Sequence, residues 1–210
     1  NLLFSSAYAA LNLDYSNQIT HRFTHELAVY LPEKASEIGF TDYDDRAGNM
    51  TADFDEKLLC FYQSWHKKLL NLASLTHTHD DLIDLKLLSD YVQNQINEIK
   101  LNHAEKVIPF VPGTQLVFQN LKTLINPQTN QARKISAVKR FHAYVESNFL
   151  YHNQAYTEAA IQKYAQDKAY YPGREQINNY LANSPIYIEA VKQLLESSNE
   201  QDWERDFVEY

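Results

Sequence analysis

The dipeptide His25-Glu26, within HRFTHELAVY, is the one place in the chain where a histidine is followed by a glutamate. In the helical zinc motif HExxH, two imidazoles one turn apart hold the metal, and the glutamate after the first activates water. Here Val29 stands where the second histidine should be. His21 does precede His25 by one turn, but the glutamate then follows the wrong histidine, and the reversed order HxxEH would need Glu where Thr24 stands. The spacing therefore predicts a hydrated helix face.

Two other clusters offer ligand-type side chains. THTHDD brings His77, His79, Asp80 and Asp81 into six residues, yet aspartates at a helix start are explained by capping, and neighbouring loop ligands seldom close a metal site alone. DYDD, Asp42 to Asp45, lacks the DxDxDG spacing and distal glutamate of a calcium loop, and Gly48 does not supply them. Cys60 is the single cysteine, which excludes an intrachain disulfide and a cysteine-rich zinc site. Its neighbours, KLLCFYQSW, predict a helix and a buried, inert thiol. With four glycines there is no GxSxG elbow, phosphate-cradling loop or dinucleotide fingerprint. No residue of the chain is assigned a catalytic, cofactor-binding or metal-ligating role.

The elements that position these residues read as helices, and the class expected is all-α, a multi-helix array with antiparallel hairpins and short proline-marked turns. From Asp14 to Leu31, apolar residues recur at helical spacing until Pro32, after which PEKASEIGF restarts as a short helix ending at Gly39. Phe54, Leu58, Phe61, Trp65, Leu69 and Leu72 form a continuous stripe, with Asp53 and Glu56 at capping spacing before it. A second long helix running to about Leu101 carries Leu85, Leu88, Val92, Ile96 and Ile99 on one face, with Asp80 or Asp81 at its start. The short link between the two predicts an antiparallel hairpin.

Pro109 and Pro112 then impose an extended crossover. A helix from about Thr114 to Ile125 follows, and a long helical stretch from about Ala132 to Lys168 bends near Tyr151 to Asn153. In YYPGREQINNYLANSPIYIEAVKQLL, Tyr170 to Leu195, Pro172 marks one helix start, and Ser184-Pro185 has the form of an N-cap followed by proline at the first helical position. Two short helices separated by a sharp turn are therefore expected. The last segment, EQDWERDFVEY, places Trp203, Phe207 and Tyr210 on one stripe, a packing surface either for a further segment or for the domain's own core.

The formal charge is -8, with 27 acidic against 19 basic residues, which disfavours nucleic acid as a partner. Arg133, Lys134, Lys139 and Arg140, in the densest basic run, are expected on a solvated helix face. No stretch reaches the roughly 20 apolar residues of a membrane span. The first ten residues, NLLFSSAYAA, fit the end of a secretory signal and equally an ordinary helix start, so residues 1–10 are read as a remnant of an export signal or as part of a single helical domain covering 1–210. A periplasmic or secreted location is expected, with a cytoplasmic one as the alternative.

Three blocks in order resemble a bacterial family, domain of unknown function 885. KASEIGFTDYDDR resembles its A-x-x-x-G-x-x-x-Y-D-D-R opening, THDDLIDLKLLSDYVQNQINEI its following helix, and YYPGREQINNYLANSPIYIEAVKQLL a later block of some members. RAGNM departs from the family's usual LPD-like turn. The resemblance spans about Leu31 to Leu195. It implies a mostly helical, often exported, zinc metallopeptidase-like protein whose metal motif, HExxPGHxxQ, lies in a C-terminal half that these residues do not include. Under it, this chain is the N-terminal part, supporting or walling the cleft. It has no cofactor of its own; zinc belongs to the C-terminal half, which is its partner, and a peptide is the substrate. The alternative is a non-catalytic helical binding or scaffold module.

Overall fold

The computed structural model describes residues 16–76, 79–125 and 130–196, and among them the chain forms eight α-helices and no strand. The fold is all-α. In order these are α1 (16–27), α2 (Pro32–Glu37), a 3-10 turn (Thr41–Tyr43), α3 (Phe54–Leu75), α4 (His79–Ala104), α5 (Gly113–Leu124), α6 (Gln131–Glu146), α7 (Phe149–Lys163) and α8 (Arg174–Glu196). They gather into two compact units, one from Asn1–Leu27 with Asp55–Glu105 and the other from Ala28–Phe54 with Lys106–Tyr210. The remnant proposed for residues 1–10, His77, and the stripe of Trp203, Phe207 and Tyr210 lie outside the described residues.

In the first unit, α3 buries Leu58, Tyr62, Trp65 and Leu69, and α4 buries Leu85, Val92 and Ile96. Each such side chain contributes about 1.5–3 kcal/mol when fully withdrawn from water. Asp55 at the start of α3 meets His103 at the end of α4 at 3.3 Å, and the Tyr62 and Tyr91 rings meet at 6.5 Å between them, so the two helices run antiparallel as expected. Phe23 of α1 inserts edge-on between Trp65, at 5.3 Å, and Tyr91, at 6.1 Å. α1 ends at residue 27 in a turn at 28–30, four residues before the expected Leu31. α4 begins at His79, which puts Asp80 and Asp81 in its first turn, where the helix dipole favours negative charge, and not at the cap.

One reading fails here for a simple geometric reason. Cys60 is exposed. At about 100° per residue it points some 200° away from Leu58, opposite the buried stripe.

The second unit opens with α2, which has Pro32 in its first turn and closes as expected at Gly39. Phe40 N donates to Ala35 O at 3.0 Å and Gly39 N to Ser36 O at 3.1 Å, a Schellman closure that needs the positive φ of 101° at Gly39. Phe40 packs on the small cluster of Ala28, Ala35 and Tyr43. The main core joins Val117, Leu121 and Leu124 of α5 to Val138, Phe141 and Tyr144 of α6, Phe149 of α7, and Val191 and Leu195 of α8. Before α5, the crossover pairs Val107 with Tyr170 in an isolated parallel bridge. α5 starts at Gly113, where a Cβ would collide with the Leu150 side chain of α7.

Two expectations are corrected. The stretch after Ala132 does not bend near Tyr151; it breaks at Asn148, whose left-handed φ of 51° separates α6 from α7. Asparagine is among the few residues that tolerate this conformation. Nor does the chain turn at Ser184-Pro185, because α8 continues through it with Pro185 in its interior. Proline removes the donor for the Leu181 carbonyl. Leu181 and Pro185 are both exposed, so water can serve that carbonyl, while α5 packs along α8 and holds it as one helix.

Candidate functional site

The near-miss zinc motif is occupied by structural work. His21 and His25 are exposed on α1, with ring centroids 6.4 Å apart. Glu26 accepts from Arg22 Nε at 2.9 Å and from the Trp65 indole N–H at 2.8 Å, and Lys68 Nζ lies 3.5 Å from its second oxygen and 4.6 Å from the Trp65 ring centroid. Burial raises the Glu26 pKa, but the hydrogen bonds and neighbouring cations outweigh it and hold the carboxyl below its ordinary value. His79 and Asp80 are exposed at the start of α4, and Asp81 is buried. Among the described residues, no group of three or more His, Cys, Asp or Glu side chains is placed to hold a metal ion.

The acidic turn and the basic run, predicted separately, meet in the second unit. Asp44 is buried and accepts from Ser36 Oγ at 2.6 Å and from both Nε and NH2 of Arg133, at 2.6 and 2.8 Å. The bidentate bond that Arg133 donates to Asp44 raises the Arg133 pKa against a smaller opposing effect of burial. Arg140 is not on a solvated face: it is buried, donating to the Tyr43 carbonyl at 2.9 Å and the Asn120 carbonyl at 3.3 Å. Burial lowers its pKa, partly offset by Tyr144, Glu33 and Asp44. Glu33 Oε1 accepts from Tyr144 Oη and from Gly48 N, both at 2.7 Å. Burial and then the Glu33 charge push the Tyr144 hydroxyl well above the ordinary tyrosine range. Both Asp44 oxygens and Glu33 Oε1 already have donors, so the cluster pins the 33–48 segment onto α5 and α6. It fastens the chain.

A site open to a ligand is built instead by the block from Tyr170 onward. Gln176, Tyr180, Asn183 and Tyr187 recur at steps of four, three and four and therefore share a face of α8. With Glu175 and Asn179 they line one wall of a groove of about 600 Å³, and Phe110, Pro112 and Gln115 line the other. That volume lies in the range of small-ligand sites. Phe110 meets the Tyr180 ring at 5.6 Å and 85°, and Tyr187 leans on Phe118 at 5.7 Å and 37°.

The Tyr180 hydroxyl receives Thr114 N–H at 3.3 Å and Thr114 Oγ1 at 3.2 Å, and Ser184 Oγ lies 2.9 Å from Thr114 Oγ1. Burial would raise the Tyr180 pKa, but the hydrogen bonds of Thr114, at the first turn of α5, and of Ser184 outweigh it and lower it. Splitting the block into two helices at Pro185 hid this face in the sequence. Its signal was there, since Val191 and Leu195 supply the core contacts of α8 at its far end while amides and tyrosines occupy the nearer turns.

No family model matches the chain, and neither a curated protein nor a solved structure matches it.

Proposed function

We propose that this chain is the N-terminal, non-catalytic helical part of a zinc peptidase-like protein, and that its groove receives a segment of the peptide while the metal chemistry belongs to a C-terminal half. The observation that carries the reading is the groove itself, built from the Tyr170 to Leu195 block that bears the family resemblance and lined by aromatic rings and amides. Such walls hold a chain without reacting with it. An exported location follows from the same resemblance, and zinc and the C-terminal half are the cofactor and partner it requires. The groove lies wholly within one unit, which favours as a second reading a helical binding module that works by itself.

The coding sequence beyond Tyr210 separates them. A continuing frame that encodes HExxH, in a longer protein that retains stoichiometric zinc after dialysis and cleaves casein, supports the peptidase reading. A stop codon directly after Tyr210 overturns it in favour of the module.

A further inference from the structure

We propose that the groove is a binding site for an uncharged, extended peptide, one backbone carbonyl of which accepts a hydrogen bond from Tyr180. This deepens the reading of the groove as a peptide wall and rests on it. The direction of the hydrogen bonds decides what Tyr180 can offer a ligand. Thr114 N–H can only donate, so the Tyr180 oxygen accepts it, and the Thr114 hydroxyl donates to the same oxygen. Either hydroxyl of the Ser184–Thr114 pair could donate by distance alone, but with the Thr114 proton given to Tyr180 it is Ser184 that donates. The chain of hydroxyls ends with the Tyr180 proton unspent, and each donor upstream polarises the next. A ligand that uses it must present an acceptor.

Spacing points to the form of that ligand. Gln176 and Asn183 are seven residues apart on α8, a rise of about 10.5 Å, which an extended peptide covers in about three residues. Side-chain amides match the alternating N–H and C=O groups of such a backbone. The Asn183 amide nitrogen already donates to the Asn179 carbonyl at 2.7 Å, which leaves its oxygen for a ligand N–H.

Charge and ring geometry narrow the choice. Glu175 is the one carboxylate on the lining and no cation lies there, so a carboxylate or phosphate ligand is disfavoured. Oligosaccharides bind best on open ring faces. Phe110 and Tyr180 are engaged edge-to-face with each other, a corner that suits a small apolar side chain better than a sugar plane.

The test is a nitrogen-15 NMR titration of the 210-residue chain with N-acetylated, C-amidated hexapeptides of Gly, Ala, Ser, Leu and Pro, and separately with maltohexaose and chitohexaose. Saturable shifts at Gln176, Asn179, Tyr180 and Asn183 with peptide are expected, and about five- to tenfold weaker binding in Tyr180→Phe, the loss of one half-buried donor. Should that variant fail to fold, the exposed Asn179→Ala substitution serves in its place and is expected to weaken binding several-fold. Absence of groove shifts at millimolar peptide, tighter binding of either sugar, or undiminished binding by the deciding variant would each overturn the proposal. A stop codon after Tyr210 would remove the peptidase reading and leave peptide binding intact; a zinc motif downstream with no peptide shifts would do the reverse.

Discussion

Glu26 carries two bonds that tie α1 to α3, and its pH dependence follows from them. Its folded-state pKa lies below the ordinary 4.5. A depressed carboxyl contributes stability that is complete above its unfolded-state value and lost as the pH falls through the folded one. The side chain is 37% exposed, so solvent limits the contribution to about 0.5–1 kcal/mol. Glu26→Gln keeps an acceptor for the Trp65 indole but removes the charge. It is expected to lower the urea midpoint at neutral pH, followed by the Trp65 indole N–H resonance, and the two proteins should converge in acid as the pH falls through the lowered folded-state pKa of Glu26. Parallel curves down to acid would show that the charge contributes nothing. At this scale the sequence showed that His25-Glu26 lacked its partner at Val29, but not what occupies the glutamate. Trp65 is 39 positions away, and pairing at that separation leaves no local mark. Arg140 shows the same limit, since its acceptors are backbone carbonyls that any residue type would provide.

At the scale of elements, legibility followed the length of the repeat. α3 and α4 are 22 and 26 residues long and carry stripes of several turns each, and local periodicity predicted both helices and their hairpin. Where a boundary rests on one or two residues, packing decides. Asn148 breaks a helix that its neighbours would have continued, and Pro185 does not break one that it should have begun. The proline still has a cost, because interior proline disfavours a helix by about 3 kcal/mol relative to alanine when no local adjustment relieves it. Exposure at Pro185 relieves part. Pro185→Ala is therefore expected to stabilise the chain by about 1–2 kcal/mol, raising the melting temperature by a few degrees. A fall would mean that the local shape the proline imposes on α8 is needed for its packing against α5.

At the scale of the whole molecule, composition and charge bounded the class, and no described helix is long and apolar enough to cross a membrane. The interleaving of two units left no mark in the sequence, because contact between distant segments and not composition defines it. That connectivity has an energetic consequence. The second unit is assembled from Ala28–Phe54 and Lys106–Tyr210, and the chain between them, Asp55–Glu105, is the hairpin of the first unit. While the hairpin is folded, Asp55 and His103 lie 3.3 Å apart and the loop that the second unit must close is already closed. If the hairpin melts, the second unit must close a flexible loop of about 50 residues at an entropic cost of about 3 kcal/mol. Leu69 is fully buried in α3, and Leu69→Ala should destabilise the hairpin by about 2–5 kcal/mol. Hydrogen exchange should then speed up in α3 and α4, and also in α2 and α6, where Asp44, Arg133 and Tyr144 hold the two segments of the second unit together. The second effect should be smaller and saturate near the loop-closure cost. If amides of α6 exchanged at the parent rate while those of α3 exchanged as in an open chain, hairpin closure would not support the second unit, and the network around Asp44 would be sufficient to join its segments unaided.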